Sequence, residues 1–289
     1  MRKAMAEHGF MKGGYGQFRL GGDILLAGYE YLSQFVYGPF ALSVARRPAE
    51  PRAVITIPGF TGTDQTVAPL NEALDSLGYV TETWGLGINR GIPSRQYFER
   101  QAGAIARRAF RLAERTGGAV ALVGHSLGGM YAREIARRHP TLIDRVITMG
   151  SPAHVPPLEN DVAAEEPQAR RRDRPLGRRD RDHVFSEEPP PGIPLVALYS
   201  RLDGIAPVRT TQIPGSFLAD PDGTPRENVE VLCSHLGMAV NPLIQIVVAD
   251  RLAEPLEGWR PFEASRYFPL PLRLAHSVFY PPIDDGARA

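Results

Sequence analysis

Gly124-His125-Ser126-Leu127-Gly128-Gly129 follows the apolar run Ala119–Val123 and opens a stretch of helical spacing that ends at His139 and Pro140. A G-x-S-x-G placed between strand and helix turns the chain sharply. The serine hydroxyl then stands above the carboxyl edge of the sheet, with glycines where a Cβ would strike a neighbouring element. The helix N-terminus offers backbone N–H groups and the positive end of a dipole, which suits a developing oxyanion. A serine alcohol is a weak nucleophile at neutral pH and needs an imidazole to take its proton. The C-terminal third holds an acid and a histidine after strand-like runs. Asp203 follows the run ending at Tyr199, in Ser200-Arg201-Leu202-Asp203-Gly204. Beside Gly204 it also reads as a turn former. Asp220 and Asp222 compete from a turn-rich segment with no strand read directly before them. His235 follows the run ending near Leu232, in Cys233-Ser234-His235-Leu236-Gly237, and His276 competes from a Pro- and aromatic-rich stretch farther on. Position favours Asp203 and His235. His125 reads as a packing or pocket-lining residue, and Cys233 as a small buried one.

The elements that must position these residues alternate. Strand-like runs are read at Ala53–Ile57, Tyr79–Trp84, Ala119–Val123, Arg145–Met149, Pro194–Tyr199 and Asn228–Leu232. Helical spacing is read at 68–77, 95–116, 127–139 and 237–252, with Pro242 near the start of the last. Such alternation implies an α/β fold, a parallel sheet covered on both faces with right-handed crossovers. Three segments stand apart from it. Residues 1–45 form an N-terminal helical extension, in which Leu25, Tyr29, Leu32 and Val36 recur at helical spacing. That stripe packs on its own domain or lies on a membrane surface. Residues 153–192 interrupt the 46–258 core with Pro156-Pro157, an Arg-rich run and Pro189-Pro190-Pro191, a composition that fits a lid or a disordered insertion. Residues 259–289 form a C-terminal tail.

Composition removes several classes of function. The chain has 289 residues and a net charge of +1, so no global field draws it to nucleic acid. The single cysteine excludes an internal disulfide or a cysteine-based zinc cluster, and the histidines show no metal-ligand spacing. No phosphate-binding G-x-x-x-x-G-K-[ST] loop is present, and Gly85-Leu86-Gly87 lacks the third glycine of a dinucleotide site. No apolar span is long enough to cross a membrane, and the charged N-terminus lacks an apolar signal region. A cytoplasmic location is therefore expected, with 24–44 as a place for peripheral membrane contact.

With the elbow at Ser126, Pro58-Gly59-Phe60-Thr61-Gly62 after an early strand, and acid and histidine in this order, the sequence resembles the α/β-hydrolase superfamily. The resemblance lies particularly with its lipase and esterase branch. It implies a serine hydrolase acting on carboxylic esters, with Ser126 as nucleophile, His235 as base and Asp203 orienting the imidazole. The oxyanion donors it implies are the backbone N–H groups of Phe60 and Leu127, although Pro58 stands where those lipases often have His. It implies no cofactor and no metal, and as partner a small-molecule ester, lipid included. The same triad could pass the acyl group to an alcohol or thiol, and an inactive binding protein would share the fold.

Overall fold

The computed structural model describes residues 14–153, 185–186, 188–213, 218–219 and 223–267. Seven strands form one sheet: β1 (Ala53–Ile57), β2 (Val80–Thr83), β3 (Val120–His125), β4 (Ile143–Met149), β5 (Leu195–Tyr199), β6 (Leu218–Ala219) and β7 (Pro225–Glu230). Their order is β2-β1-β3-β4-β5-β7-β6. Every pairing is parallel except that of β6 with β7. The long helices are α1 (Gly14–Val44), α2 (Asp64–Ser76), α3 (Arg95–Thr116), α4 (Leu127–Arg138) and α5 (Pro242–Ala253), with single turns at Val208–Thr211 and Ala264–Arg266. The expected mostly parallel sheet flanked by helices is therefore the fold.

Side chains of a strand alternate between faces, and here both faces are apolar because both are covered. In β1, Val54 faces a core shared with Val67 and Leu70 of α2 and Ile244 and Val248 of α5. Its neighbours Ile55 and Ile57 face a second core with Phe98 and Ile105 of α3 and Tyr131 and Ile135 of α4. Burying each such side chain contributes about 1.5–3 kcal/mol, which makes these two layers the main hold on the sheet. Local signals set the helix ends. The Ser94 side chain accepts the Tyr97 N–H at the start of α3, and Gly117, at φ 72°, ends it.

Several elements start or end a few residues from expectation, and two of these shifts bear on the site. The helix expected over 237–252 begins instead at Pro242, because Asn241 accepts the Leu243 N–H and Pro242 occupies the first turn, where a missing N–H costs nothing. The run before it is freed to form the turn that carries His235. The strand expected over 228–232 starts earlier, at Pro225, and a short antiparallel β6 precedes it. Its polar opening hides a buried strand. Arg226 donates to the Pro190 carbonyl at 3.0 Å, and Glu227 accepts from Arg251 at 2.8 Å.

The base of the insertion is closed by α4. The Arg133 guanidinium donates to the carbonyls of Ala153 (2.9 Å) and Ser186 (3.2 Å), bringing the two ends of the 153–192 segment to one side chain. Phe185 stacks edge-on against Phe98 at 5.2 Å, which ties that residue to the core. The lid or disordered insertion read there lies, over 154–184 and 187, outside the described residues. Residues 259–267, read as the start of a tail, also rest on the core. The Trp259 ring lies 5.2 Å from the Arg251 guanidinium, and its Nε1–H donates to Glu227.

Helix α1 runs along α5, but not on the face that its apolar stripe suggested. Leu25, Tyr29, Leu32 and Val36 are exposed by 79, 62, 64 and 70%. The face turned inward carries Asp23 and Glu30, exposed by only 2 and 3%, with Ala41 beyond them. Hydrogen-bond partners explain the inversion: both carboxylates find buried N–H and O–H donors, and an apolar stripe has no equivalent there. Among the described residues no helix is long and apolar enough to cross a membrane.

Candidate active site

The parallel pairings place the carboxyl ends of β1, β3, β4, β5 and β7 along one edge of the sheet. β3 ends at His125, and Ser126 follows with φ 52° and ψ −122°, a left-handed conformation that a residue with a Cβ rarely adopts. The sequence permits this turn because a Cβ on Gly124 would overlap the Gly129 backbone, and one on Gly128 would overlap the Ile57 carbonyl. The Ser126 N–H is fixed on the Met149 carbonyl at the end of β4, at 2.8 Å. Leu127 is the first residue of α4, where an N–H has no acceptor within the helix.

The loop after β1 lies against this turn. A Cβ on Gly59 would sit 3.0 Å from the Ser126 Cβ, so its backbone and that of the adjoining Phe60 run beside the serine. Sequence reading missed the residue that shapes this loop. Asn89, fully buried, donates from Nδ2 to the Pro58 carbonyl (2.8 Å) and from its N–H to the Gly62 carbonyl (2.8 Å). Its own carbonyl accepts the Thr61 N–H at 2.7 Å, with Thr61 held at φ 62°.

The structure brings Asp203 and His235 together. Asp203 Oδ2 lies 2.7 Å from His235 Nδ1, and both side chains are almost wholly buried. The other oxygen, Oδ1, accepts the N–H groups of Ile205 (2.8 Å) and Ala206 (2.6 Å). The turn role and the histidine-orienting role are thus filled by one carboxylate, a separate oxygen serving each. With Nδ1–H donated to the carboxylate, Nε2 is left as the basic nitrogen. Ser200 ties the loops beneath: its Oγ donates to the Cys233 carbonyl at 2.6 Å. Among the described residues no hydrogen bond joins Ser126 Oγ to His235, a contact that in free enzymes often tightens only with substrate. The competitors Asp220, Asp222 and His276 lie outside the described residues.

His125 does more than fill space. Its Nε2 lies 2.8 Å from the His235 carbonyl, so Nε2–H donates there and the two rings stand 5.0 Å apart. Burial, and then the neighbouring His235, hold its pKa down to about 4. Burial likewise pushes the Cys233 thiol well above its ordinary value, which leaves it unreactive beside the site. Among the described residues no group of three or more His, Cys, Asp or Glu side chains is placed to hold a metal ion.

Two outcomes follow from this geometry. Gly150 has φ 58°, and a Cβ there would lie 3.0 Å from Asp203 Oδ2 and 3.1 Å from His235 Nδ1. Gly150→Ala should cost roughly 1–3 kcal/mol in urea unfolding and abolish the downfield proton resonance of the Asp203–His235 hydrogen bond. An unchanged resonance would remove Gly150 from the site. The second concerns pH. Unfolded, His125 takes up a proton near pH 6.5; folded, it refuses one until about pH 4. Its stabilising contribution is full above 6.5 and is lost as pH falls toward 4, at up to about 1.4 kcal/mol per pH unit. His125→Asn, compared with the parent by urea midpoints at pH 7 and pH 5, should lose less stability over that interval.

Residues 53–212 match the alpha/beta hydrolase fold family. Similar solved structures include TT1662 from Thermus thermophilus, 20% identical over 73% of this chain and 93% of that one, with a TM-score of 0.46. Lipase B of Aspergillus fumigatus is 17% identical over 75% of this chain and 58% of its own, TM-score 0.48. A pyrethroid hydrolase from Sphingobium faniae is 18% identical over 71% and 99%, TM-score 0.46. At these identities the likeness is one of fold, and no curated protein matches the chain. Since the family match spans more than half of its residues, from β1 through the Asp203 loop, the chain belongs to the α/β hydrolase fold family.

Proposed function

We propose that the protein is a serine hydrolase of carboxylic esters. The observation that carries this reading is the buried 2.7 Å contact of Asp203 with His235 at the sheet edge where Ser126 is held in a strained strand-to-helix turn. In the reaction, Ser126 Oγ attacks the ester carbonyl carbon while His235 Nε2 takes its proton. Asp203 holds the imidazole by Nδ1 and stabilises the imidazolium. The N–H groups of Leu127 and Phe60 receive the oxyanion. Collapse breaks the bond to the alcohol oxygen, which leaves with the proton from His235, and water then attacks the acyl-serine by the same route. No step calls for a cofactor or a metal.

The substrate is a small-molecule ester with an apolar acyl part, and the protein meets it at a lipid surface through the outer face of α1. Supporting this, Asp23 and Glu30, the only charged residues from Leu20 to Val44, are turned inward, so the outer face is uncharged. Tyrosines among its exposed residues suit an interface. The helix lies next to the site, since the partly exposed Leu236, the residue after His235, is bonded through its N–H to Asp23.

Ser126→Ala should remove p-nitrophenyl ester hydrolysis by about 10⁴-fold or more while leaving the circular dichroism spectrum unchanged. Asp203→Asn and His235→Ala should be similarly inactive, and a fluorophosphonate should label the parent at Ser126. Retained hydrolysis in the Ser126→Ala variant would overturn the reading. For the surface, the parent should cosediment with phosphatidylcholine vesicles, and Leu25→Asp/Phe35→Asp should reduce that binding at least about tenfold, given the apolar area removed from contact. A parent that stays in the supernatant refutes the lipid contact.

A further inference from the structure

Asp23 and Glu30 are seven residues apart, two turns of α1, and so share a face. Both carboxylates are buried, and both are spent on the loops of the candidate site. Asp23 Oδ1 accepts the N–H of Gly204 at 3.0 Å and that of His235 itself at 2.7 Å; Oδ2 accepts the N–H of Leu236 at 3.0 Å. Glu30 accepts the Ser234 N–H at 3.0 Å, the Ser234 hydroxyl, and Asn241 Nδ2 at 3.0 Å. The histidine loop is built around this second carboxylate, for a Cβ on Gly237 would overlap Glu30 Oε2.

One oxygen of Asp23 therefore anchors both the residue after the acid and the base. The two loops follow the carboxyl ends of two different strands, β5 and β7, and α1 lies outside the 53–212 stretch that matches the family. Other ties hold the loops to the fold: Ser200 on Cys233 and His125 on the His235 carbonyl. Those hold the Cys233 and His235 carbonyls, whereas one Asp23 oxygen takes an N–H from each of the two loops. Charge-assisted hydrogen bonds to three converging N–H groups fix a loop more firmly than neutral ones.

We infer that Asp23 is a positioning residue, which sets the distance and orientation of His235 against Asp203 by bonding the backbones of the two loops to one carboxylate. This rests on the serine hydrolase reading above. Misplacement of a base by about 1 Å can cost roughly 100-fold in rate, while the acyl pocket itself is untouched. Asp23→Asn keeps one acceptor oxygen and Asp23→Ala keeps none, so the two should form a graded pair.

The experiment compares the full chain, Asp23→Asn and Asp23→Ala with p-nitrophenyl acetate well below their melting temperatures. Fluorophosphonate labelling at Ser126 is followed alongside, and amide hydrogen exchange is measured on the parent. Expected are a fall in kcat of roughly 10- to 100-fold for alanine, a smaller fall for asparagine, and KM within about threefold of the parent. Slow but complete labelling of both variants, and protected amides at Gly204, His235 and Leu236 in the parent, are also expected. A folded Asp23→Ala variant with parental kcat overturns the inference, as do unprotected parent amides even if neither variant folds. A parent that neither hydrolyses the ester nor takes the label overturns the hydrolase reading, and the inference with it. Altered kcat in a parent-labelled pair separates the two.

Discussion

Parallel pairing is the constraint on which the molecule rests. A parallel ladder cannot be closed by a tight turn, so each strand must be followed by a crossover that returns to the opposite end of the sheet. Five strands thus deliver their carboxyl ends to one edge, and the residues after them, Pro58 to Gly62, Ser126, Gly150, Asp203 and His235, are gathered there without being near one another in the chain. Close approach tightens the gathering. The elbow can sit against β1 because Gly128 has no Cβ to meet Ile57, and β4 can pass beside the acid–base contact because Gly150 has none to meet Asp203.

The opposite end of the sheet is held by buried charge. Arg145 and Arg251 are fully buried, and they donate to backbone carbonyls and carboxylates around the end of α5: Arg145 to the carbonyls of Arg251 (2.7 Å) and Glu254 (2.8 Å), Arg251 to Glu227 and Asp250. Burial lowers the pKa of Arg145 to about 10, with Asp144 working in the other direction. Arg133 and Arg226 do the same at loop ends. A planar guanidinium can reach two carbonyls at fixed angles, which a lysine ammonium on a flexible stem does less well. The near absence of lysine from a chain with 33 basic residues coincides with a structural use of arginine at four buried positions.

Much of this was legible in the sequence, and for local reasons. The elbow announced itself because strand, glycine, serine, glycine and helix must be contiguous for the turn to exist. Short, continuous β-branched runs between helical stretches announced the sheet. Asp203 and His235 could be chosen because each follows such a run. Less local features were not legible. The polar opening of β7 looked unlike a strand, since nothing in Pro225-Arg226-Glu227 says that Pro190 and Arg251 will satisfy its charges. Asn89 shapes the Phe60 loop from some thirty residues away and carries no motif.

Helix α1 marks the boundary between the two kinds of information most sharply. Its helical spacing was written in Leu25, Tyr29, Leu32 and Val36, and the sequence by itself determined that a helix forms there. Which face turns inward was not determined by that periodicity, because hydrophobic area gives no direction to a helix whose inward neighbours are backbone N–H groups. Asp23 and Glu30 decided it. Two carboxylates seven residues apart in an otherwise uncharged stretch are a weak signal until the loops at Gly204 and His235 exist to donate to them, and those donors are about 180 and 212 residues away along the chain. The sequence fixes local geometry because sterics and periodicity act between neighbours. Only the tertiary structure assigns partners to buried polar groups, since burial and the donors that compensate for it arise together when the chain closes on itself.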